Sequence, residues 1–264
     1  MSNASLLPGF LLCCAGAAGM AATLASSVDD ADAAALRTQL ESVARRRIFF
    51  GHQSVGFNIL EGVAELSARA RVPLRIAEVS RSLDGAAGSL LHAAVPENGN
   101  PGLKLESFAR LLDSAASPGV DVALLKFCFV DFGKDTDAKA LFARYQAAIA
   151  ALRARHPGTV FVHATVPLTA VQRGFKALVK KAIGRAPYGI EEDVRREEYN
   201  ALLRRAYLGR EPVYDIARIE SLAPDGKAET VEWNGRAVPA LFPGYTEDGG
   251  HLNRDGRLRA ARRD

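Results

Sequence analysis

The sequence predicts an α/β protein, a three-layer α/β/α sandwich around a mostly parallel five-stranded sheet, with a small β-hairpin inserted before a terminal helix. Three observations carry this. Short apolar runs alternate with stretches of helical period along most of the chain. The run Val120 to Val130 is almost wholly apolar, as a central parallel strand covered on both faces should be. Late in the chain, Asn234-Gly235 separates Thr230-Val231-Glu232-Trp233 from Arg236-Ala237-Val238, and Asn-Gly supplies the positive φ angles of a two-residue hairpin turn.

In order, the acidic start, basic end and Leu36, Leu40, Val43 spacing of Asp30 to Arg46 predict a helix. Arg47 to Phe50 is the first strand, followed by a helix whose face is Val55, Ile59, Leu60, Val63 and Leu66. Val72 to Val79 is the second strand. Arg81 to Gly102 is rich in Gly, Ser, Asn and Pro and too long for a plain connection, which suggests a functional loop. A helix from Leu103 to Ala115 leads to the third strand, Val120 to Val130, which ends at Asp131. A helix over Ala138 to Arg155, a strand over Thr159 to Val166 stopped by Pro167, and a basic, partly amphipathic insertion at Gln172 to Ile183 follow. The helix Ile190 to Tyr207 stops at Gly209, Val213 to Ile219 is the fifth strand, and Leu252 to Ala261 closes the chain as a short helix.

With 264 residues, 48% of them hydrophobic and 24% charged, the composition is that of an ordinary globular protein, and residues 28–264 read as one domain without repeats or linkers. The first 27 residues hold no Lys, Arg, Asp or Glu and are rich in Leu, Ala and Gly, so residues 1–27 read as an export signal or an uncleaved N-terminal anchor. The expected location is therefore outside the cytoplasm, periplasmic or extracellular, with membrane contact only through that segment. Cys13 and Cys14 raise a lipid anchor, although Leu11-Leu12-Cys13-Cys14 fits a lipoprotein box poorly. Cys128, inside an apolar run, reads as a buried small hydrophobe. The net charge of +4 is small and its basic residues are mostly scattered, which argues against a nucleic-acid partner.

In such a sandwich the site lies beyond the carboxyl ends of the strands. Ile48-Phe49-Phe50-Gly51-His52-Gln53-Ser54-Val55-Gly56 places a serine where the first strand turns into a helix. There the helix aims free backbone N–H groups and its positive dipole end at an anion forming beside the hydroxyl. Ser54 either caps that helix or acts as a nucleophile. Near the end of the chain, Asp248-Gly249-Gly250-His251 puts an acid three residues before a histidine, so that the acid accepts the ring N–H and leaves the other nitrogen as a base. His52 is either a pocket residue or a turn residue, Asp131 either binds substrate hydroxyls or caps its loop, and Trp233 either stacks on a sugar or anchors the hairpin. His163, within a strand, reads as a core histidine. No short ligand-spacing motif joins the histidines, so neither a metal nor another cofactor is expected.

With these motifs the chain resembles the SGNH (GDSL-type) hydrolase superfamily, from about Arg47 to its end. The resemblance implies a flavodoxin-like sandwich, Ser54 as nucleophile, His251 as general base and Asp248 as orienting acid. His52-Gln53-Ser54 stands where that family has Gly-Asp-Ser, and resembles the Gln-Ser variants of its carbohydrate esterases. The family's oxyanion hole uses the serine N–H, a glycine N–H after the second strand and an asparagine after the third. Asn98-Gly99-Asn100 offers the glycine and an asparagine amide, whereas Lys126-Phe127-Cys128-Phe129-Val130-Asp131 replaces the third-strand Gly-x-Asn-Asp. Either Asn98 or Asn100 substitutes, or the hole is built differently, or catalysis is weak. The expectation is an exported serine esterase or acyltransferase acting on a small-molecule or polysaccharide ester, with O-acetylated carbohydrate foremost. The competing expectation is a weak or inactive domain of this kind that binds polysaccharide or an envelope partner.

Overall fold

A computed structural model of the chain describes residues 32–83, 90–115, 119–183 and 185–262. The expected signal or anchor, residues 1–27, lies outside the described residues.

Six parallel strands form the central sheet in the order β2-β3-β1-β4-β5-β6. They are β1 (Ile48–His52), β2 (Ile76–Glu78), β3 (Leu90–Ala94), β4 (Val122–Leu125), β5 (Val160–Ala164) and β6 (Val213–Tyr214). Without the outer strand β2 this is the flavodoxin-like order, and β1 sits at its switch point between β3 and β4, where ligand crevices form. The expectation of five strands is corrected by β3, which lies within the stretch read as a loop. The apolar segment after β2 is interrupted, yet Leu90 and Leu91 are buried against β1. The fifth strand is also shorter than expected: after Tyr214, the Asp215 side chain accepts from the Arg218 N–H and starts a helix, α7 (Ile216–Ser221).

Side-chain alternation along β1 divides the core. Phe49 faces α3 (Pro101–Asp113), α4 (Ala138–Arg155) and α6 (Ile190–Tyr207), while Phe50 faces α2 (Val55–Ala70), α7 and α8 (Arg254–Ala260). Each phenylalanine, almost fully buried, contributes roughly 1.5–3 kcal/mol. Gly51 is the residue that lets the first layer close, because a Cβ there would lie 2.6 Å from Phe108, which stacks on Phe49. A helix over 32–44, α1, packs Leu36 and Leu40 against Leu66 and Val72. The helix α5 (Phe175–Ala182) lies in the connection between β5 and α6.

The last helix is fastened to the one that follows Ser54. A Cβ at Gly62 would lie 2.4 Å from the Arg257 carbonyl, so α8 crosses α2 at backbone contact distance. Arg257 reaches Glu61 and Arg254 reaches Glu65. The hairpin β7 (Thr230–Trp233) and β8 (Arg236–Pro239) turns at Asn234 and Gly235, with φ of 50° and 74°. Among the described residues no helix is long and apolar enough to cross a membrane.

Candidate active site

Ser54 occupies a forced backbone position, with φ 45° and ψ −102°. A non-glycine residue reaches such angles only where its surroundings over-determine them. Its side chain makes no capping bond to α2, which removes the reading of Ser54 as a simple helix cap. Instead the Ser54 hydroxyl meets His251 Nε2 at 2.5 Å, and His251 Nδ1 meets Asp248 Oδ2 at 2.6 Å. With the Nδ1 proton donated to the carboxylate, Nε2 is left to accept from the serine.

The carboxylate is held from its other side too. Asp248 Oδ1 accepts the N–H groups of Gly250 at 2.9 Å and His251 at 2.8 Å, and the Thr246 hydroxyl at 3.2 Å. Partial burial pushes the Asp248 carboxyl up, but the bonds from the His251 ring and from these amides outweigh it and hold it well below the usual carboxylate range. It is therefore ionised wherever His251 can act as a base. Gly249, at φ 89°, allows the tight turn between acid and base.

Several residues missed by sequence reading position this row. The Asn58 side chain, one turn into α2, accepts the Leu252 N–H at 3.2 Å and ties the histidine loop to the serine helix. Phe129 stands edge-on to His251, with ring centroids 5.6 Å apart. Arg196, buried, donates to the Phe129 carbonyl and lies over its ring. A second, fully buried group is Lys126, just past β4. Desolvation pushes its amine down to about 8. The signal for Lys126 was present: a lone lysine between Leu125 and Phe127.

The remaining candidates fall elsewhere. Asp131 does not face substrate: its side chain is buried and accepts from Lys104 Nζ at 2.8 and 2.7 Å, from the Gly99 N–H at 2.8 Å and from the Cys128 N–H at 2.7 Å. Of its two readings these bonds fit the loop cap, and the expectation for Gly99 is corrected, because the N–H assigned to the oxyanion is committed to Asp131. Asn100 is the N-cap of α3, its Oδ1 accepting from Leu103 N–H at 3.0 Å. Asn98 is different. Lys104 of the buried ion pair, rather than a helix end, holds its Oδ1 at 2.8 Å, and since an ammonium only donates, the NH2 keeps its donors on the exposed loop.

Gln53 donates to the Val95 carbonyl at 2.8 Å and fastens the turn before Ser54 to the loop after β3. His52 is fully buried, its Nε2 3.1 Å from His92 Nδ1, and its ring fills the space a Cβ at Gly56 would need. Burial first, then Lys126 and His92, push it down to about 3, so it is neutral. His163 is a core residue paired with Tyr145 at 2.8 Å and Glu211 at 2.9 Å. Trp233 packs with Val171, Ile190 and Val238 under the hairpin. Among the described residues no three His, Cys, Asp or Glu side chains gather to hold a metal ion.

Several solved structures share the course of this backbone. One is a Streptococcus pneumonia protein named for platelet activating factor, 16% identical at a TM-score of 0.47, covering 92% of this chain and 95% of that one. Another is a GDSL-like lipase from Bacteroides thetaiotaomicron VPI-5482, 11% identical at 0.45, covering 88% and 95%. A third is the periplasmic domain of a lipopolysaccharide acetyltransferase from Salmonella ser. Paratyphi A, 12% identical at 0.40, covering 82% and 81%. At these identities and scores the likeness concerns backbone course alone, and the chemistry rests on the side chains above. No protein-family model matches the sequence, and neither does any curated protein.

Proposed function

We propose that this protein is a serine hydrolase or acyltransferase of the SGNH kind, acting on an ester through Ser54, His251 and Asp248. One observation carries the reading: a strained serine that caps nothing has its hydroxyl on the free nitrogen of a histidine whose other nitrogen is held by a carboxylate. In this scheme Ser54 Oγ attacks the acyl carbonyl while His251 Nε2 takes its proton. The tetrahedral oxyanion is met by the Ser54 N–H at the start of α2 and by the Asn98 amide. The intermediate then collapses, the ester C–O bond breaks, and the alcohol leaves with the proton from His251. Water, or a second hydroxyl for transfer, attacks the acyl-enzyme with His251 again as base.

An exported protein with an O-acetylated carbohydrate as substrate is the finer reading, supported by the uncharged apolar N-terminus and the His52-Gln53-Ser54 motif. The commitment of the Gly99 N–H to Asp131 favours a second reading, a domain of weak or no activity that binds polysaccharide. A fluorophosphonate probe separates the two. The esterase reading expects labelling of wild type that is absent in Ser54→Ala and reduced in His251→Ala. Folded wild-type protein that takes no label sinks it. A panel of acetylated sugars and aryl acetates then tests the substrate class.

A further inference from the structure

The helix α5 is turned the wrong way for water. Its sequence, Phe175-Lys176-Ala177-Leu178-Val179-Lys180-Lys181-Ala182, separates at 100° per residue into an apolar arc of Phe175, Leu178, Val179 and Ala182 and an opposite arc of lysines. A surface helix ordinarily buries the first arc. Here Phe175 is 80% exposed, Leu178 66% and Val179 42%, while Lys180 leans toward the body and donates to Gln172 at 2.7 Å. Ile183 and Tyr188 extend the exposed apolar surface at 62% and 75%. Five of the nine exposed large hydrophobic side chains among the described residues therefore fall between Phe175 and Tyr188. A cluster of that kind marks a surface that meets something.

Charge says what. From Leu168 to Ile190 the chain has five basic residues, Arg173, Lys176, Lys180, Lys181 and Arg185, and no acidic one. Arg173 pairs with Glu229 of the neighbouring chain segment, and the other four cations have no acidic residue within the segment itself. An apolar arc in a segment with such an excess of basic residues is the pattern of a helix lying in the plane of an anionic lipid surface, its apolar side among the acyl chains and its lysines at the phosphates. The position fits a docking role. The segment follows the carboxyl end of β5, and its root is bonded to the histidine loop through Ala170 N–H and the Gly249 carbonyl at 2.8 Å. Phe57 and Val130, also exposed, follow the ends of β1 and β4 on the same rim as Ser54.

We infer that residues 173–188 are a docking element for an anionic phospholipid bilayer, holding the rim with Ser54 and His251 against the membrane plane. This does not depend on Ser54 being a nucleophile, and its test reads no activity. Hydrogen–deuterium exchange is followed on the full chain with phosphatidylglycerol-containing vesicles, with pure phosphatidylcholine vesicles, and alone. The expected result is slowing of about tenfold at the amides of 175–183 with the anionic vesicles only. Phe175→Glu/Leu178→Glu should lose that protection while exchange in α4 and α6 stays unchanged, since both substituted side chains are exposed. No slowing with either vesicle overturns the inference, as does equal slowing with the neutral one. Slow exchange without lipid also overturns it: if it grows with protein concentration a second copy covers the helix, and if it does not, the N-terminal segment does.

Discussion

Two groups of polar side chains stand at the same end of the sheet and are held in opposite ways. The row Ser54, His251 and Asp248 is open to water, with the His251 and Asp248 side chains about half exposed. Its members lie on two loops and are joined by two short hydrogen bonds. The ion pair Lys104–Asp131 has no solvent exposure, and four donor contacts saturate its carboxylate. An open row can exchange protons with substrate and solvent during a reaction. A sealed pair cannot, and its bonds instead tie the loop after β3 to the loop after β4. Two carboxylates at the same end of the sheet, Asp131 and Asp248, are thus given a sealed and an open setting by the donors around them.

The largest effect that tests this division is on rate. Ser54→Ala should lower ester cleavage by a factor on the order of 10⁴ to 10⁶, His251→Ala by a similar factor, and the double variant by no more than either. Additive losses would mean that the row does not act as a unit. The sealed pair should show itself in stability: Lys104→Met leaves a buried unpaired carboxylate and should cost about 3–5 kcal/mol in denaturant unfolding. A loss under about 1 kcal/mol would place Asp131 with the open group. Asn98 and Asn100 sharpen the boundary. Asn98→Ala should reduce kcat about a hundredfold with KM nearly unchanged, whereas Asn100→Ala should leave kcat alone and cost about 1 kcal/mol as a lost helix cap.

The last expected effect is a slope rather than a single loss. His52 titrates near 6.5 in an unfolded chain and is held at about 3 in the folded one, so between those pH values the unfolded state binds a proton that the native state refuses. Its contribution is complete above about pH 6.5 and is lost as pH falls toward 3, at up to about 1.4 kcal/mol per pH unit. His52→Gln should flatten stability over that window. An unchanged slope would mean that His52 is already protonated in the fold.

Much of the fold was legible because it rests on local rules. Ile190 to Tyr207 is a helix with the bounds its pattern gives, Glu191, Glu192 and Asp193 at its start and Arg204 and Arg205 at its end suiting the dipole. Asn234-Gly235 makes the turn it requires. The sheet's sixth strand was hidden because Leu90 to Ala94 is short, carries His92 in mid-run and lies among Gly, Ser and Asn, so that only pairing with β1 and β2 makes it a strand. In the site, Ser54, Asp248 and His251 could be singled out since each sits in a motif of a few residues. Lys104 and Asp131 lie 27 residues apart with no periodicity linking them. Their meeting, and with it the fate of the Gly99 N–H, is a property of the assembled sheet.

The clasp between α2 and α8 has a consequence in time. A ribosome releases Ser54 early, followed by most of the sheet, but the histidine loop gains its place only when Gly62 and Arg257 come together and Asn58 takes the Leu252 N–H. Until those last residues emerge, Ser54 has no His251 to meet, and the row of the folded protein is incomplete.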